Sequence, residues 1–290
     1  MSTSKYIILK ESKFLSIKGQ DNKDFLQGII TNDINKCDKH VIYSCLLSPQ
    51  GKFLSDFFVI PYRDSFLIEI NQKFFSNFID KLNLYKLRSK IEIDEIHSLK
   101  SMIIINNISE KNLEIGKIIF NNQYIKYVDP RNINLGAKII SKLENIHLTI
   151  KKLNLTMGDK KKYYNKSFQL GIPQMQLDKL RDKIFGIENN LDELKGIDFK
   201  KGCYVGQENT SRIKLRNKLR RRILPVQKVA GEISENQIIK YKGNEIGKIM
   251  ISKPYSFALI KVVDPDLNEF NNKELACGNS KIKILKPDWI

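Results

Sequence analysis

Cysteine is scarce and unpaired in this 290-residue chain. Cys37, Cys45, Cys203 and Cys277 include no Cys-x-x-Cys pair. That excludes zinc-ribbon and thioredoxin-type sites. A single thiol does not hold an iron–sulfur centre by itself, since such centres take about four thiolates. Free thiols in a reducing compartment are the simplest account. No uncharged apolar run approaches the roughly 18 residues that a membrane-spanning helix needs. Residues 1–10 lack a signal-peptide pattern, so a cytoplasmic location and no membrane partner are expected. Internal repeats and Gly/Ser linkers are also missing.

Acidic residues are outnumbered. Against 50 Lys and Arg stand 32 Asp and Glu, a net charge of +18. Such charge suits a nucleic acid, a membrane surface or a polyanionic ligand. Most of it is Lys in a chain also rich in Ile and Asn, as in an A/T-biased genome. Drift and function both remain open for the charge as a whole, and only local clusters count. The length exceeds one ordinary core, and 41% hydrophobic content suits a globular chain of two or three subdomains.

The pattern along residues 1–220 is mixed. A short helix is predicted over 21–33, with Asp21 as N-cap. Strands over 41–47 and 52–60 flank the turn Ser48-Pro49-Gln50-Gly51, and a third covers 66–70. Asn71 caps a helix carrying Phe74, Phe75, Phe78, Ile79 and Leu82 at helical spacing. Strands are expected near 90–93, 102–105, 116–120, 124–128 and 136–140, and a helix over 160–170 that stops at Gly171-Ile172-Pro173. From 221 to 290 only short strands recur, at 223–227, 237–241, 245–251, 257–263 and 281–285, as in a small antiparallel barrel. The boundary is a charged run, so the two parts are expected to pack together.

One segment concentrates chemistry: Lys201-Gly202-Cys203-Tyr204-Val205-Gly206-Gln207-Glu208. Two glycines bracket the thiol and permit close approach or positive φ. The Lys201 cation would favour the thiolate. Tyr204 offers a ring face, and Gln207 and Glu208 offer hydrogen bonds. The competing account is a buried cysteine in a glycine-bounded strand. Downstream, Arg212, Lys214, Arg216, Lys218 and Arg220 stand at every second position, followed by Arg221 and Arg222. Read as a strand, the run places five cations on one face, either a solvated edge or a site for an anionic tail. Upstream, the run Glu188-Asn189-Asn190-Leu191-Asp192 supplies carboxylates at its two ends, either able to grip a pterin's N–H edge or merely part of a helix N-terminus.

The run 196–208, with Ser211-Arg212 after it, resembles the signature of the YgfZ family, folate-binding relatives of the glycine-cleavage T-protein. The likeness extends to Asp24-Phe25-Leu26-Gln27-Gly28 with Thr31-Asn32-Asp33, and to Ser48-Pro49-Gln50-Gly51-Lys52 with Asp56-Phe57. It continues through Asp129-Pro130-Arg131, Leu135-Gly136, Gly171-Ile172-Pro173, Gly247 and Ala258-Leu259. The chain departs from the family at Ser167 and at Gly186-Ile187.

The resemblance implies an α+β fold of intertwined subdomains around a folate-sized hole over 1–220, and a barrel over 221–290. It implies tetrahydrofolate or a derivative as cofactor and a role in building or repairing iron–sulfur clusters. Partners would be assembly or carrier proteins and client enzymes, tRNA-modifying radical enzymes among them. Cys203 is then the key thiol, Lys201 its activating neighbour and Glu188 the pterin contact. Tyr204, Gln207, Arg212 and Arg216 fall in the same set, and the N-terminal and hairpin motifs add Asn32 and Asp56. No resident metal is implied. An aminomethyltransferase is the first rival, weakened because Ser55-Asp56 stands where T-proteins carry two acids. A nucleic-acid-binding protein is the second, without an aromatic ladder among its cations.

Overall fold

Two short strands at the N-terminus run into different sheets, and that divergence interleaves the fold. The computed structural model describes residues 4–105, 114–216, 218–262, 267–270 and 273–290. Strands β1 (Lys5–Leu9) and β2 (Ser12–Lys18) precede helix α1 (Asn22–Ile29), the hairpin β3 (Ile42–Leu47) and β4 (Phe53–Tyr62), β5 (Ser65–Asn71) and α2 (Gln72–Lys86). Next come β6 (Glu92–Glu95), β7 (Leu99–Ile105), β8 (Ile118–Phe120), β9 (Tyr124–Val128) and β10 (Ala137–Lys142). They are followed by α3 (Leu143–Lys152), β11 (Thr156–Met157), α4 (Lys160–Gln169) and α5 (Gln207–Leu215). The last elements are β12 (Arg221–Ala230), β13 (Ile238–Tyr241), β14 (Asn244–Ile251), β15 (Phe257–Lys261), β16 (Leu275–Cys277) and β17 (Ser280–Ile284).

One sheet has the order β3-β4-β5-β2-β6, a second β11-β1-β7-β10-β9-β8, and β12-β15-β14-β13-β16-β17 close into a barrel. The hairpin forms where Gly51, at φ +80, lets its N–H donate to the Ser48 carbonyl at 2.8 Å. Every residue of β3 is buried although β3 lies at a sheet edge. Its free edge is covered: Thr31 N–H donates to Cys45 O at 3.1 Å, and Cys45 N–H to Thr31 Oγ1 at 2.9 Å. Asn71 caps α2 by accepting from Lys73 N–H at 3.0 Å. Phe74, Phe78 and Leu82, four apart, then lie buried on one stripe, with Phe78 at 4.8 Å from the Phe57 ring. Each such side chain contributes about 1.5–3 kcal/mol by leaving water.

The barrel has its own core of Leu224, Val226, Ile239, Ile249, Ala258 and Ile260, yet it does not stand apart. Phe257, Leu259 and Ile251 join the main core, and Phe168 of α4 packs on Tyr255 and Phe257 at 5.5 and 5.6 Å. Trp289 Nε1 donates to Leu170 O at 2.8 Å.

Two expectations need correction. Asp21 does not cap α1 with its side chain; its carboxylate accepts from Lys90 N–H at 2.7 Å, and the helix ends at Ile29. The run 212–222 is not one strand, because α5 occupies Gln207–Leu215 and extended pairing begins only at Arg221. Gln207, Glu208, Arg212, Lys214 and Leu215 are good helix formers, and they outweigh the two-residue alternation of charge. Val263, the end of one expected strand, lies outside the described residues.

Gly171 sits at the seam with φ +70, and an added Cβ would lie 2.4 Å from Pro287 Cγ. Gly171→Ala should therefore cost about 1–3 kcal/mol, read as a lower melting temperature. Gly28 is helical with nothing within 4 Å of its would-be Cβ, and Gly28→Ala should gain about 0.5–1 kcal/mol. A thermal melt that ranks the two variants the other way would refute this account of the seam.

Candidate functional site

The segment 196–206 has no regular secondary structure until α5 begins, and it is held by its contacts instead. Thr31 Oγ1 donates to Gly196 O at 2.6 Å, Asp198 N–H to Thr31 O at 3.0 Å, and Asn32 Nδ2 to Lys195 O at 2.8 Å. Val205 N–H donates to Gly28 O at 3.1 Å. The Lys201 ammonium donates to the carbonyls of Gln27, Ile30 and Asn32 at 2.7, 2.6 and 3.0 Å, and lies 4.9 Å from the Tyr204 ring centre. Helix C-termini leave carbonyls without partners, and a buried cation here answers both that need and the negative end of the helix dipole. Burial pushes the Lys201 pKa down to about 8, opposed by the charges of Asp33 and Asp198.

This geometry revises the role given to Lys201. All three of its donors are directed at carbonyls of the α1 end, so it fixes the thiol-bearing loop rather than activating the thiol. The glycines differ too. Gly206 has φ +83, and a Cβ there would lie 2.4 Å from Ser48 O, whereas Gly202 has open space around it.

Cys203 is exposed on this loop, and Cys37, Cys45 and Cys277 are buried. Burial pushes the pKa of each of those three thiols up, which keeps them protonated and inert. Among the described residues no three of His, Cys, Asp and Glu converge as a metal site.

The expected pterin pocket of Glu188, Cys203 and Tyr204 is not assembled. Glu188 is 4% exposed, and its carboxylate accepts from Phe185 N–H and Arg221 Nε, both at 2.8 Å. The Tyr204 ring is buried beneath Lys201, so it offers no open stacking face. Tyr204, Gln207, Arg212 and Arg216 share one shallow concavity, Glu188 shares another with Arg212 and Arg216, and Cys203 lines neither. Asn32 Nδ2 is taken by Tyr43 O and Lys195 O.

Asp56 stands elsewhere, in a cavity of about 260 Å³ between the sheets. The lining brings together Asp56 and Phe58 from β4, Glu69 from β5, Lys138 from β10, and Arg131 and Gln174 from loops. Glu69 accepts from Ser12 Oγ at 2.8 Å, Tyr127 OH at 2.8 Å and Lys138 Nζ at 3.1 Å. Burial would raise its pKa, but Lys138 and these hydroxyls reverse that and hold Glu69 below its ordinary value. Arg131 donates twice to Asp129, at 3.0 and 2.8 Å, and spreads over the Phe58 ring at 4.9 Å.

Asp56 is different. Tyr43 OH donates to it at 2.9 Å, and burial raises its pKa despite the nearby Arg131 charge. A half-buried carboxylate with one side-chain partner among the described residues keeps acceptor positions free for a ligand's N–H groups. Sequence reasoning missed Tyr43, Glu69, Lys138 and Gln174 as lining or flanking residues. The signal available was a charge in the interior of each of two largely apolar strands, Glu69 in Ser65–Asn71 and Lys138 in Ala137–Lys142.

Lys201→Met should leave three inward carbonyls without their donor, at a cost of about 1–3 kcal/mol. Hydrogen exchange at the Val205 amide is the local readout. Protection there should fall more than protection in β4, and equal loss at both would remove Lys201 from the tether.

No family model matches the chain. A Neurospora crassa protein named "Iron-sulfur cluster assembly factor IBA57 homolog, mitochondrial" is 31% identical over 233 residues, covering 75% of this chain and 52% of that protein. Proteins of the same name from Pyricularia oryzae and Dictyostelium discoideum are 28% and 27% identical, covering 77% and 75% of this chain and 57% and 61% of their own lengths. The chain thus spans about half the length of the first curated relatives it matches. These relatives are mitochondrial by name, which overturns the cytoplasmic expectation drawn from the lack of a signal peptide. They carry the IBA57 name, so the YgfZ resemblance holds at the coarser level of iron–sulfur maturation proteins. The aminomethyltransferase T of the glycine cleavage system from Bartonella henselae superposes with a TM-score of 0.77 at 11% identity, over 100% of this chain and 87% of that one. The chain therefore has the glycine-cleavage T-protein fold with a closed C-terminal barrel, and its sequence relatives are named as iron–sulfur cluster assembly factors.

Proposed function

We propose that the chain is a folate-binding factor of iron–sulfur cluster assembly, in which Cys203 supplies the exposed thiol. The observation that carries this reading is the contrast among the four thiols. Three are buried and one is presented on a loop tethered to α1, in a chain whose relatives are named as assembly factors. One thiolate provides one ligand of the usual four, so the remaining ligands of a cluster come from a partner protein. Client iron–sulfur enzymes, tRNA-modifying radical enzymes among them, are the intended beneficiaries.

On this reading residues 1–220 form the folate-binding unit and 221–290 the barrel. The central cavity is the part that fits a folate. Its volume of about 260 Å³ suits the bicyclic ring rather than the whole molecule, with Asp56 accepting from the ring's N–H edge and Phe58 alongside. Lys10, Lys73 and Lys160 line the same cavity and would meet the glutamate carboxylates. Bound there, a reduced folate would supply one-carbon or reducing chemistry. Asp56 would orient the ring, and Arg131 and Lys138 would set the surrounding positive potential. The aminomethyltransferase alternative is less well supported, because Ser55 takes the place of a second acid and its hydroxyl is buried without a partner among the described residues.

Asp56→Asn tests the cavity. Calorimetry with tetrahydrofolate should show about a 10- to 100-fold weaker Kd, the loss of a charge-assisted hydrogen bond. A raised folded-state pKa means that the ionised carboxylate costs stability at neutral pH, a cost that fades as pH falls below that pKa and Asp56 protonates. The variant should therefore be at least as stable as the wild type at pH 7, with its advantage shrinking towards pH 4. Unchanged affinity would remove the ring from this cavity, and Glu188→Ala should leave binding intact.

Cys203→Ser tests the thiol. The variant should fold and bind tetrahydrofolate normally, yet fail to restore iron–sulfur enzyme activity in cells lacking the protein. Full restoration would make the thiol dispensable and sink the central part of the reading.

A further inference from the structure

Two concave surfaces beside α5 are not absorbed by the folate and thiol chemistry. A groove of about 660 Å³ lies where α5, residues 218–221 and β15 meet, with Phe185, Ile213, Leu219 and Val262 as its apolar lining. A second concavity of about 670 Å³ includes Pro49, Tyr204 and Leu215, and the two share Arg212 and Arg216. The two open concavities thus adjoin along α5 at these arginines and are taken together as one trough. Leu215 on its wall is 86% exposed, an unusual position for a large apolar side chain amid cations.

The charge of the trough is predominantly positive, with Glu188 and Glu208 as its acidic lining residues. Glu188 is the acidic side chain lining the groove, and Arg221 already neutralises it. Arg212 is paired with Glu208, and Lys261 donates to the Glu245 carbonyl. Arg216, Lys218 and Arg220 are exposed and have no acidic partner among the described residues. Three exposed cations without an acidic partner among the described residues, over an apolar floor, fit a ligand that carries both carboxylates and apolar side chains.

We propose that this trough docks an acidic, leucine- or phenylalanine-bearing peptide segment of the protein that shares iron–sulfur cargo with this chain, a partner that rests on the assembly-factor reading above. Two adjoining open concavities that share Arg212 and Arg216 suit an extended segment rather than a compact metabolite. A bare polyanion would leave Leu215, Leu219 and Val262 uncovered. Single-stranded nucleic acid needs open aromatic faces, whereas the Phe185 ring is covered by Lys52 Nζ at 3.8 Å and Tyr204 is buried. The trough also begins next to the thiol loop. From Gln207 to Arg216 the helix runs about 14 Å, so a domain anchored here reaches Cys203 with an adjoining loop. Exposed unpaired cations steer such a partner before contact, and the apolar floor slows its release.

Fluorescence anisotropy on the full chain tests the proposal with three labelled probes: an octapeptide of alternating Glu and Leu, octaglutamate and an eight-residue oligothymidylate. The Glu/Leu peptide should bind about tenfold or more tighter than octaglutamate. The double charge reversal Arg216→Glu with Arg220→Glu should weaken it by about tenfold or more. Both substituted side chains are exposed, so the melting temperature, tetrahydrofolate affinity and Cys203 alkylation rate should stay at wild-type values. Leu219→Ser should weaken the Glu/Leu peptide several-fold and octaglutamate hardly at all. Equal binding of the two peptides, no response to charge reversal, or tighter binding of oligothymidylate would each overturn the docking proposal. Wild-type protein that binds the peptide but not tetrahydrofolate would overturn the folate reading and leave the docking site standing.

Discussion

Three carbonyl oxygens at the end of α1 and one ammonium group hold the functional part of this molecule in place. Helix α1 stops at Ile29, and the turn beyond it leaves Gln27, Ile30 and Asn32 with oxygens facing a region closed to water. Leaving such groups without donors is costly, and the chain meets the need from a point about 170 residues downstream in sequence, where Lys201 crosses back onto them. Everything between Gly196 and Gly206 is registered by that contact and the neighbouring bonds to Thr31 and Gly28. Thr31, which covers the free edge of β3 through its two bonds to Cys45, also holds the thiol loop at Gly196, so one residue serves both the first sheet and the loop.

A second set of buried charges shapes the cavity between the sheets. Glu69 and Lys138 neutralise each other, Asp129 and Arg131 do the same, and the hydroxyls of Ser12 and Tyr127 also donate to Glu69. Buried ion pairs of this kind contribute little net stability, because desolvation offsets their attraction. Their retention in a cavity wall makes sense as a fixed pattern of potential for a polar ligand. Asp56 is the member of the wall left under-bonded, with burial working against its ionised form, a situation that clusters at binding sites.

Much of the architecture was legible because it is local. The Asn71 cap with Phe74, Phe78 and Leu82, the Ser48–Gly51 turn and the short barrel strands each announce themselves within a few residues. The roles of site residues were less legible. Lys201 reads as a thiol activator from its place two residues before Cys203, but its partners lie on another helix. Glu188 reads as a free carboxylate until Arg221 is seen folding onto it. The run of alternating cations satisfies a strand period on paper, yet the residues from 207 onward favour a helix. Asp56 was marked only through its motif. What makes it distinctive is Arg131, Lys138 and Glu69 arriving from other strands, and no short window of sequence contains that meeting.

The seclusion of three thiols has a consequence for how the molecule responds to oxidants. Cys37, Cys45 and Cys277 lie where neither peroxide nor another protein's sulfur gains ready access, and burial holds them protonated. Redox chemistry at the surface is thus univalent. Oxidation can cap Cys203 with a small thiol or join two copies through it. Because each copy offers one bond, crosslinking stops at the dimer and does not propagate into a network.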